Sequence, residues 1–129
     1  MKLQADPLDA PGLNLIARYD AHGVQLGERV WRESLVLPWQ GEVRGWPVAS
    51  FDALRADLFE PLVEHDPEIV LFGSGPRLRF PRPEWTVALM RRRIGFETMD
   101  LSAACRTYNL LAAEGRRVVA ALLIEAASS

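Results

Sequence analysis

The stretch with the clearest potential for ligand chemistry is the Gly73-Ser74-Gly75 loop. It follows a run of large apolar residues, 69–72, and is followed by Pro76. The apolar run predicts a strand buried on both faces, and loops beyond central strands line the ligand crevice of open α/β sheets. Glycine-rich loops can hold a phosphate with their backbone N–H groups, here with Arg77 or Arg79 as the counter-charge. A small-molecule or anion site, with or without catalysis, is one candidate function.

Three features of the same loop favour a structural turn. Pro76 lacks an N–H donor. No helix is predicted directly after the loop, so the positive end of a helix dipole is missing. Ser74 also lacks the glycine that a nucleophile elbow has two residues before its serine, because Phe72 occupies that position. We therefore predict no catalytic residue here.

The remaining titratable residues do not form a recognisable catalytic or metal-binding pattern. Cys105 lies on the apolar face of a predicted helix, which is typical of an inert core thiol. His22 and His65 fall in predicted turns without a second ligand at metal spacing, so no metal or cofactor is predicted. Asp100 is either a site carboxylate or a helix N-cap, and the cap is favoured. Tyr108 has the spacing of a core aromatic residue.

Two further features are candidate interaction surfaces. The basic segment, residues 77–93, contains six arginines and one acid, which gives it a net charge of about +5 against about -7 for the remainder. Its arginines either pair with the protein's own acids or meet an anionic partner, which could be an acidic protein surface, a nucleotide or nucleic acid. Nucleic acid is not predicted, because aromatic interleaving is sparse. Trp39 and Trp46 share a glycine-containing loop, where they either fill the edge of the core or anchor a partner.

Length and composition indicate one globular α/β domain over residues 1–129, with residues 1–12 as a lead-in segment. A single cysteine suits a reducing compartment, and the N-terminus has neither signal-peptide nor transit-peptide character. The longest apolar run, 118–124, is too short to span a membrane. We expect a cytoplasmic protein without membrane insertion, either a monomer or a weak oligomer.

Hydrophobic periodicity predicts a β-hairpin, a strand, and then three helix–strand pairs around a mixed or parallel sheet. The predicted elements are hairpin strands 13–19 and 24–31, strand 34–37, a helix capped by Ser50 and ended near Pro61, strand 69–72, an extended piece 77–80, a helix over about 84–94, strand 96–99, a helix from Asp100 to Gly115, and strand 117–125.

Four stretches together resemble the Mth-domain family, which includes the adipogenesis-associated Mth domain-containing protein and a mitochondrial assembly factor of respiratory complex I. They are Gly95-Phe96-Glu97-Thr98-Met99-Asp100, residues 103–111, residues 114–118 and the strand-loop 71–75. The resemblance covers roughly residues 13–124. The C-terminal stretches are specific, whereas a Gly-Ser-Gly motif alone is common.

The resemblance implies a three-layer α/β fold in which a β-hairpin lies beside a mixed five-stranded sheet with one antiparallel strand. It also implies no established enzymatic activity, and the mitochondrial relative acts by binding other proteins during assembly. Because the N-terminus has no presequence character, we expect a free-standing bacterial-type member. The family's signature positions correspond to Gly73, Gly75, Asp100, Tyr108, Asn109 and Arg116.

The leading hypothesis is therefore a non-enzymatic protein-binding domain that serves as an assembly factor or adaptor. Its candidate binding residues are Gly73, Ser74, Gly75, Arg77, Arg79, Trp39, Trp46, Asp100, Tyr108 and Asn109. The alternative is a small-molecule or anion-binding domain, or an enzyme, that uses the Gly73-Ser74-Gly75 loop.

Overall fold

The computed structural model of the protein describes residues 12–125, which form eight β-strands and three α-helices. The strands are β1 Ile16–Asp20, β2 Gly23–Leu26, β3 Arg29–Trp31, β4 Leu35–Pro38, β5 Arg44–Gly45, β6 Ile69–Gly73, β7 Gly95–Met99 and β8 Val118–Leu122. The helices are α1 Ala56–Phe59, α2 Val87–Arg91 and α3 Leu101–Ala113. Short 3-10 turns at Phe51–Ala53, Glu60–His65 and Pro83–Thr86 flank α1 and precede α2.

The central sheet is mixed and has the order β5-β4-β8-β6-β7. β8 runs parallel to β6, and β6 runs parallel to β7. β4 is antiparallel to both of its neighbours and is the single strand that points the other way. The first three strands form a separate antiparallel sheet in the order β1-β2-β3. The mixed five-stranded sheet implied by the family resemblance is confirmed.

Successive residues of β6 enter two different hydrophobic cores, which makes the fold three-layered. Leu71 packs with α3 and with the three-stranded sheet on one face. Val70 and Phe72 pack with α1, α2 and the Trp46 loop on the other face. All five residues of β8 are buried, as expected for a central strand covered on both sides.

Phe59, the last residue of α1, is at the centre of an aromatic cluster on the α1 face. Its ring lies 5.5 Å from the rings of both Trp46 and Phe72 in edge-on contacts. It also stacks on Trp85 at 6.2 Å and meets Phe96 at 6.0 Å. Edge-to-face and offset pairs of this kind add about 0.5–1.5 kcal/mol each beyond simple burial. The cluster therefore joins α1, the central sheet and the segment before α2.

Several predicted elements are confirmed within two residues. The buried strand 69–72 is β6, the strand 96–99 is β7, and the helix that follows Asp100 is α3. Gly115 adopts φ +84°, the left-handed conformation expected just after a helix end. The predicted lead-in segment lies largely outside the described residues.

Two predicted elements in the first half are wrong. The run 24–31 is two strands rather than one, because Gly27 at φ +57° turns the chain between β2 and β3. The helix predicted from Ser50 is broken into a 3-10 turn, the four-residue α1 and a second 3-10 turn. Ser50 makes no side-chain cap bond there, and Pro61 lies near the start of the second 3-10 turn.

The elements predicted between β6 and β7 also differ. Residues 77–80 form no strand. The helix expected over about 84–94 begins as a 3-10 turn and ends at Arg91. Arg93 takes φ +56°, a conformation that costs a non-glycine residue about 1 kcal/mol or more, so the chain reverses before Gly95. Within residues 12–125, no helix is long and apolar enough to cross a bilayer.

Candidate functional site

Ser74 is fully buried, and its hydroxyl closes the loop after β6. The hydroxyl lies 2.7 Å from the carbonyl oxygen of Arg77 and 3.2 Å from that of Met99, and it accepts a hydrogen bond from the Arg79 N–H at 2.9 Å. Both the donor and an acceptor lone pair of this hydroxyl are therefore engaged within the fold. The side chain holds the start of the basic segment against β7.

The backbone of the loop is also bonded to its neighbours. The Ser74 N–H donates to the carbonyl oxygen of Met99 at 2.8 Å, and the Leu101 N–H donates to that of Gly75 at 2.7 Å. A Cβ atom on Gly73 would lie 2.9 Å from the Leu122 side chain, so the missing side chain lets α3 and β8 approach β6 closely. These contacts hold the loop against β7, α3 and β8.

Arg79 spans the top of the loop and pairs with Glu125. Its Nη2 donates to Glu125 Oε1 at 2.7 Å and to the Ser74 carbonyl oxygen at 2.6 Å. The guanidinium carbon lies 4.8 Å from the centre of the Phe51 ring, and the Phe51 N–H donates to Glu125 Oε2 at 2.9 Å. We call this arrangement, Arg79 with Ser74, Phe51 and Glu125, the Arg79 latch.

The electrostatics of the Arg79 latch favour the charged carboxylate. Desolvation by itself raises the pKa of Glu125, but the hydrogen bonds from Arg79 and from Phe51 outweigh it and leave the pKa below its ordinary value. Arg77 is exposed and adds a smaller attraction to the same carboxylate. An anion at this loop would therefore compete with Glu125 for Arg79 and would find Arg77 the more accessible cation.

Three signature residues of the C-terminal half make structural contacts. The Asp100 carboxylate caps α3 by accepting the Ala103 N–H at 2.8 Å. The buried Tyr108 hydroxyl lies 2.7 Å from the Asn14 carbonyl oxygen and 3.0 Å from that of Pro38, and burial raises its pKa. The third, Asn109, lies next to it on α3.

Asn109 fastens the three-stranded sheet to α3. Its Nδ2 donates to the Ile16 carbonyl oxygen at 2.8 Å, and its Oδ1 accepts the Ile16 N–H at 2.8 Å. One amide side chain thus replaces a strand partner at the start of β1. At the other end of α3, Arg116 pairs with Glu68, next to β6.

The two tryptophans of the 39–46 loop have different environments. Trp46 is only 5% exposed, and its indole N–H donates to the Leu58 carbonyl oxygen at 2.9 Å. It therefore lies in the core, which is the first of the two alternatives that the sequence allows. Trp39 is half-buried between the two cores, and its backbone N–H donates to the Val118 carbonyl oxygen at 3.0 Å.

The basic segment exposes apolar as well as charged side chains. Leu78, Phe80 and Met90 are 50%, 69% and 65% exposed. Within residues 12–125, the other exposed large hydrophobic residues are Val30 and Leu110. All of the segment's arginines except Arg79 are exposed. The alternating sequence 77–80 indicated a strand and hid this feature. The sequence signal that could have revealed it is that residues 77–80 are flanked by two prolines, Pro76 and Pro81.

A groove of about 380 Å³ that sequence reasoning missed lies between β4, β5 and the α1 region. Its apolar wall includes Val36, Trp46 and Leu62, while Arg44 contributes a cation and His65 contributes imidazole nitrogen atoms. Burial lowers the pKa of His65, the charge of Arg44 lowers it further, and Glu64 partly opposes them. His65 thus favours its neutral form in the folded protein.

Cys105 and the acidic side chains do not form a reactive centre in the part of the chain that the structure describes. Cys105 lies on the buried face of α3, and burial raises the pKa of its thiol to about 12, so the reactive thiolate is disfavoured. No group of three His, Cys, Asp or Glu side chains within residues 12–125 is arranged to hold a metal ion.

The sequence of residues 16–123 matches the profile of a family described as "Protein of unknown function (DUF498/DUF598)". The chain belongs to this DUF498/DUF598 family. The match begins at β1 and ends just after β8, so it includes both sheets and α3.

Similar proteins in animals carry a functional name. The Bos taurus protein named NADH dehydrogenase [ubiquinone] 1 alpha subcomplex assembly factor 3 is 34% identical over 118 residues, which are 89% of this chain and 63% of the relative. The Homo sapiens protein of the same name is 34% identical over 111 residues, 84% of this chain and 59% of the relative. The chain thus spans about three fifths of the length of these relatives.

Solved bacterial structures show the same fold. A Bordetella parapertussis protein superposes with a TM-score of 0.84 at 35% identity, covering 90% of this chain and 99% of that one. A Bordetella pertussis protein described as a Mth938-like domain gives a TM-score of 0.81 at 31% identity, covering 99% and 95%. The predicted membership of the Mth-domain family is confirmed.

Proposed function

We propose that this chain is a non-enzymatic protein-binding domain that acts in the assembly of a larger protein complex, and that the basic segment is its main contact surface. The observation that carries the proposal is the exposure of Phe80, Leu78 and Met90 among exposed arginines of the same segment. Aromatic residues and arginines are the residue types that dominate binding energy at protein interfaces.

The charge of the segment indicates the chemistry of the partner. Within residues 12–125, the only acid within 4.0 Å of an arginine in the segment, apart from Glu125 in the Arg79 latch, is Glu84, at 4.0 Å from Arg82. Pairing with the protein's own acids, the first alternative from the sequence, is therefore poorly supported for Arg91, Arg92 and Arg93 within the described residues. An acidic protein surface would complement them and accelerate association.

The names of the animal relatives support an assembly role, because they are called assembly factors. We extend only that general role to this chain, as a cytoplasmic monomer or weak oligomer with a protein partner. The alternative, anion binding at the Gly73-Ser74-Gly75 loop, has less support because Ser74 and Arg79 are already engaged.

Site-specific photo-cross-linking tests the proposal. A photoreactive phenylalanine analogue replaces Phe80 in the full chain and is irradiated in the source cells. Val30 is the matched control position, because it is also exposed but lies in the three-stranded sheet. We expect one heterologous protein to cross-link at position 80 and not at position 30, and the product to disappear when Arg91, Arg92 and Arg93 are all changed to Glu.

The opposite outcomes would contradict the proposal. Equal cross-linking at positions 80 and 30 would show that contacts at Phe80 are non-specific. Absence of any cross-link, together with thermal stabilisation by a phosphate metabolite, would favour the anion-binding alternative. A metabolite at a hundred times its Kd would stabilise the fold by about 2.7 kcal/mol.

A further inference from the structure

The edge strand β7 presents a regular and open row of backbone groups. It pairs with β6 on one side in unbroken parallel register from Ile69↔Gly95 to Gly73↔Met99. The sheet order places no strand of residues 12–125 on its other side. The opposite edge of the sheet, β5, has only two residues and therefore offers fewer backbone groups for pairing.

The hydrogen-bonding pattern identifies which groups of β7 point outward. The Gly95 N–H donates to the Glu68 carbonyl oxygen, and the Met99 carbonyl oxygen accepts the Ser74 N–H. In a parallel ladder, alternate residues direct both backbone groups to the same neighbour. Gly95, Glu97 and Met99 therefore face β6, while the residues between them face away from it.

The outward groups are the N–H and C=O of Phe96 and Thr98. None of these four takes part in a hydrogen bond with another group of the described chain. Natural proteins usually protect such an edge with a proline, a bulge or a lysine. β7, with the sequence Gly-Phe-Glu-Thr-Met, has no proline or lysine, its register with β6 is regular, and Glu97 is its only charged side chain.

The surroundings of β7 indicate the charge of an incoming strand. Arg91, Arg92 and Arg93 are exposed and come shortly before the strand, separated from its amino end by Ile94. Acidic residues in a paired segment would be attracted to that end. A second copy of this chain fits poorly, because two-fold antiparallel pairing through Phe96 and Thr98 would place Glu97 opposite its own copy, and like charges directly opposite are destabilising.

We propose that an extended acidic segment of the protein partner adds to β7 as a sixth strand of the central sheet. Its backbone would bond to Phe96 and Thr98, and its carboxylates would lie near Arg91–Arg93. Main-chain bonds supply affinity in strand addition, while neighbouring side chains supply specificity. This inference rests on the proposed protein-binding function and specifies how one part of the partner is held.

Amide exchange with a defined peptide tests the inference. The probe is a blocked ten-residue peptide of alternating valine and glutamate, and the control peptide alternates valine and lysine. We expect the glutamate peptide to slow exchange of the Phe96 and Thr98 amides at least tenfold in NMR spectra of the full chain. The lysine peptide should leave both amides unprotected.

A pair of variants at Thr98 separates strand pairing from side-chain contact. Thr98→Pro removes one outward donor and blocks an incoming strand, and proline is tolerated where the N–H faces solvent. Thr98→Val keeps the donor and suits a strand. We expect Thr98→Pro to weaken peptide binding at least tenfold and Thr98→Val to preserve it. If Thr98→Pro does not fold, the exchange measurement on the unmodified chain decides the matter alone.

Three results would overturn the inference. The first is peptide binding without protection of Phe96 and Thr98, and the second is no binding of the glutamate peptide at all. The third is protection of both amides before any peptide is added, which would show that the edge is already occupied. Light scattering then distinguishes a second copy of the chain, which raises the molar mass, from another part of the same chain. A cross-link from Phe80 that persists in Thr98→Pro would leave the proposed function intact while strand addition fails.

Discussion

The Arg79 latch is expected to couple the loop after β6 to the end of the described chain. Glu125→Gln removes the charge that the Arg79 guanidinium contacts at 2.7 Å, and Arg79→Met also leaves the Ser74 carbonyl oxygen without its two guanidinium donors. Hydrogen bonds to charged groups contribute about 1.5–3 kcal/mol each when they are shielded. We expect Glu125→Gln to lower the free energy of unfolding by about 1.5 kcal/mol and Arg79→Met to lower it by about 3 kcal/mol.

The double variant measures the coupling itself. The Arg79 and Glu125 side chains are 18% and 26% exposed, so their attraction lies between that of a screened surface pair and that of a buried one. We expect a coupling free energy of about 1–2 kcal/mol, within the range for residues that share a network. Each kcal/mol corresponds to about 3–5 °C in Tm for a domain of this size.

Urea unfolding of the four proteins is the assay, and the pair Arg55–Asp57 is the matched control. That pair has the same N–O distance of 2.7 Å, but its side chains are more than 60% exposed, so its coupling should be close to zero. Because the pKa of Glu125 is lowered on folding, its contribution is fully present above about pH 4.5 and is lost as the pH falls further. Additive effects of the two substitutions would refute the reasoning.

Three further predictions concern single positions. Asn109→Ala leaves both backbone groups of Ile16 without partners, so we expect a loss of about 2 kcal/mol and faster amide exchange in β1 than in β8. Burial lowers the pKa of His65 on folding, so the free energy of unfolding of the unmodified protein should decline as the pH falls below 6.5. The urea midpoint of His65→Gln should decline less between pH 7.5 and pH 5, and an equal decline in the two proteins would contradict this. Arg93→Gly relieves the left-handed backbone at φ +56° and should raise stability by about 1 kcal/mol, as read from the urea midpoint, while it weakens capture of an acidic partner.

The parts of the fold that the sequence predicted are those set by local signals. β6 is marked by a continuous apolar run, and α3 by an acidic cap, one apolar stripe and a terminal glycine. The broken helices were mispredicted because their signals conflict. Pro61 interrupts one apolar stripe, and the reversal at Arg93 depends on how α2 packs rather than on a glycine.

The candidate site illustrates a second limit of sequence reasoning. The Gly73-Ser74-Gly75 loop was located correctly at the carboxyl end of a buried strand, but the partner of Arg79 lies 46 residues away at Glu125. The exposure of Phe80 likewise depends on the absence of a neighbouring strand. Such long-range relations leave no periodic trace in one sequence, whereas the resemblance to a family already implied the mixed sheet.

The central position of β8 has a consequence for synthesis of the chain. β8 is the last strand of the described residues, yet it lies between β4 and β6 and pairs with both along its length. Until residues 118–122 have emerged from the ribosome, β4 and β6 have no strand between them, and their backbone N–H and C=O groups and apolar side chains remain open to other chains. The growing chain is therefore most prone to aggregation just before residues 118–122 emerge, and the described sheet closes only after β8 has been made.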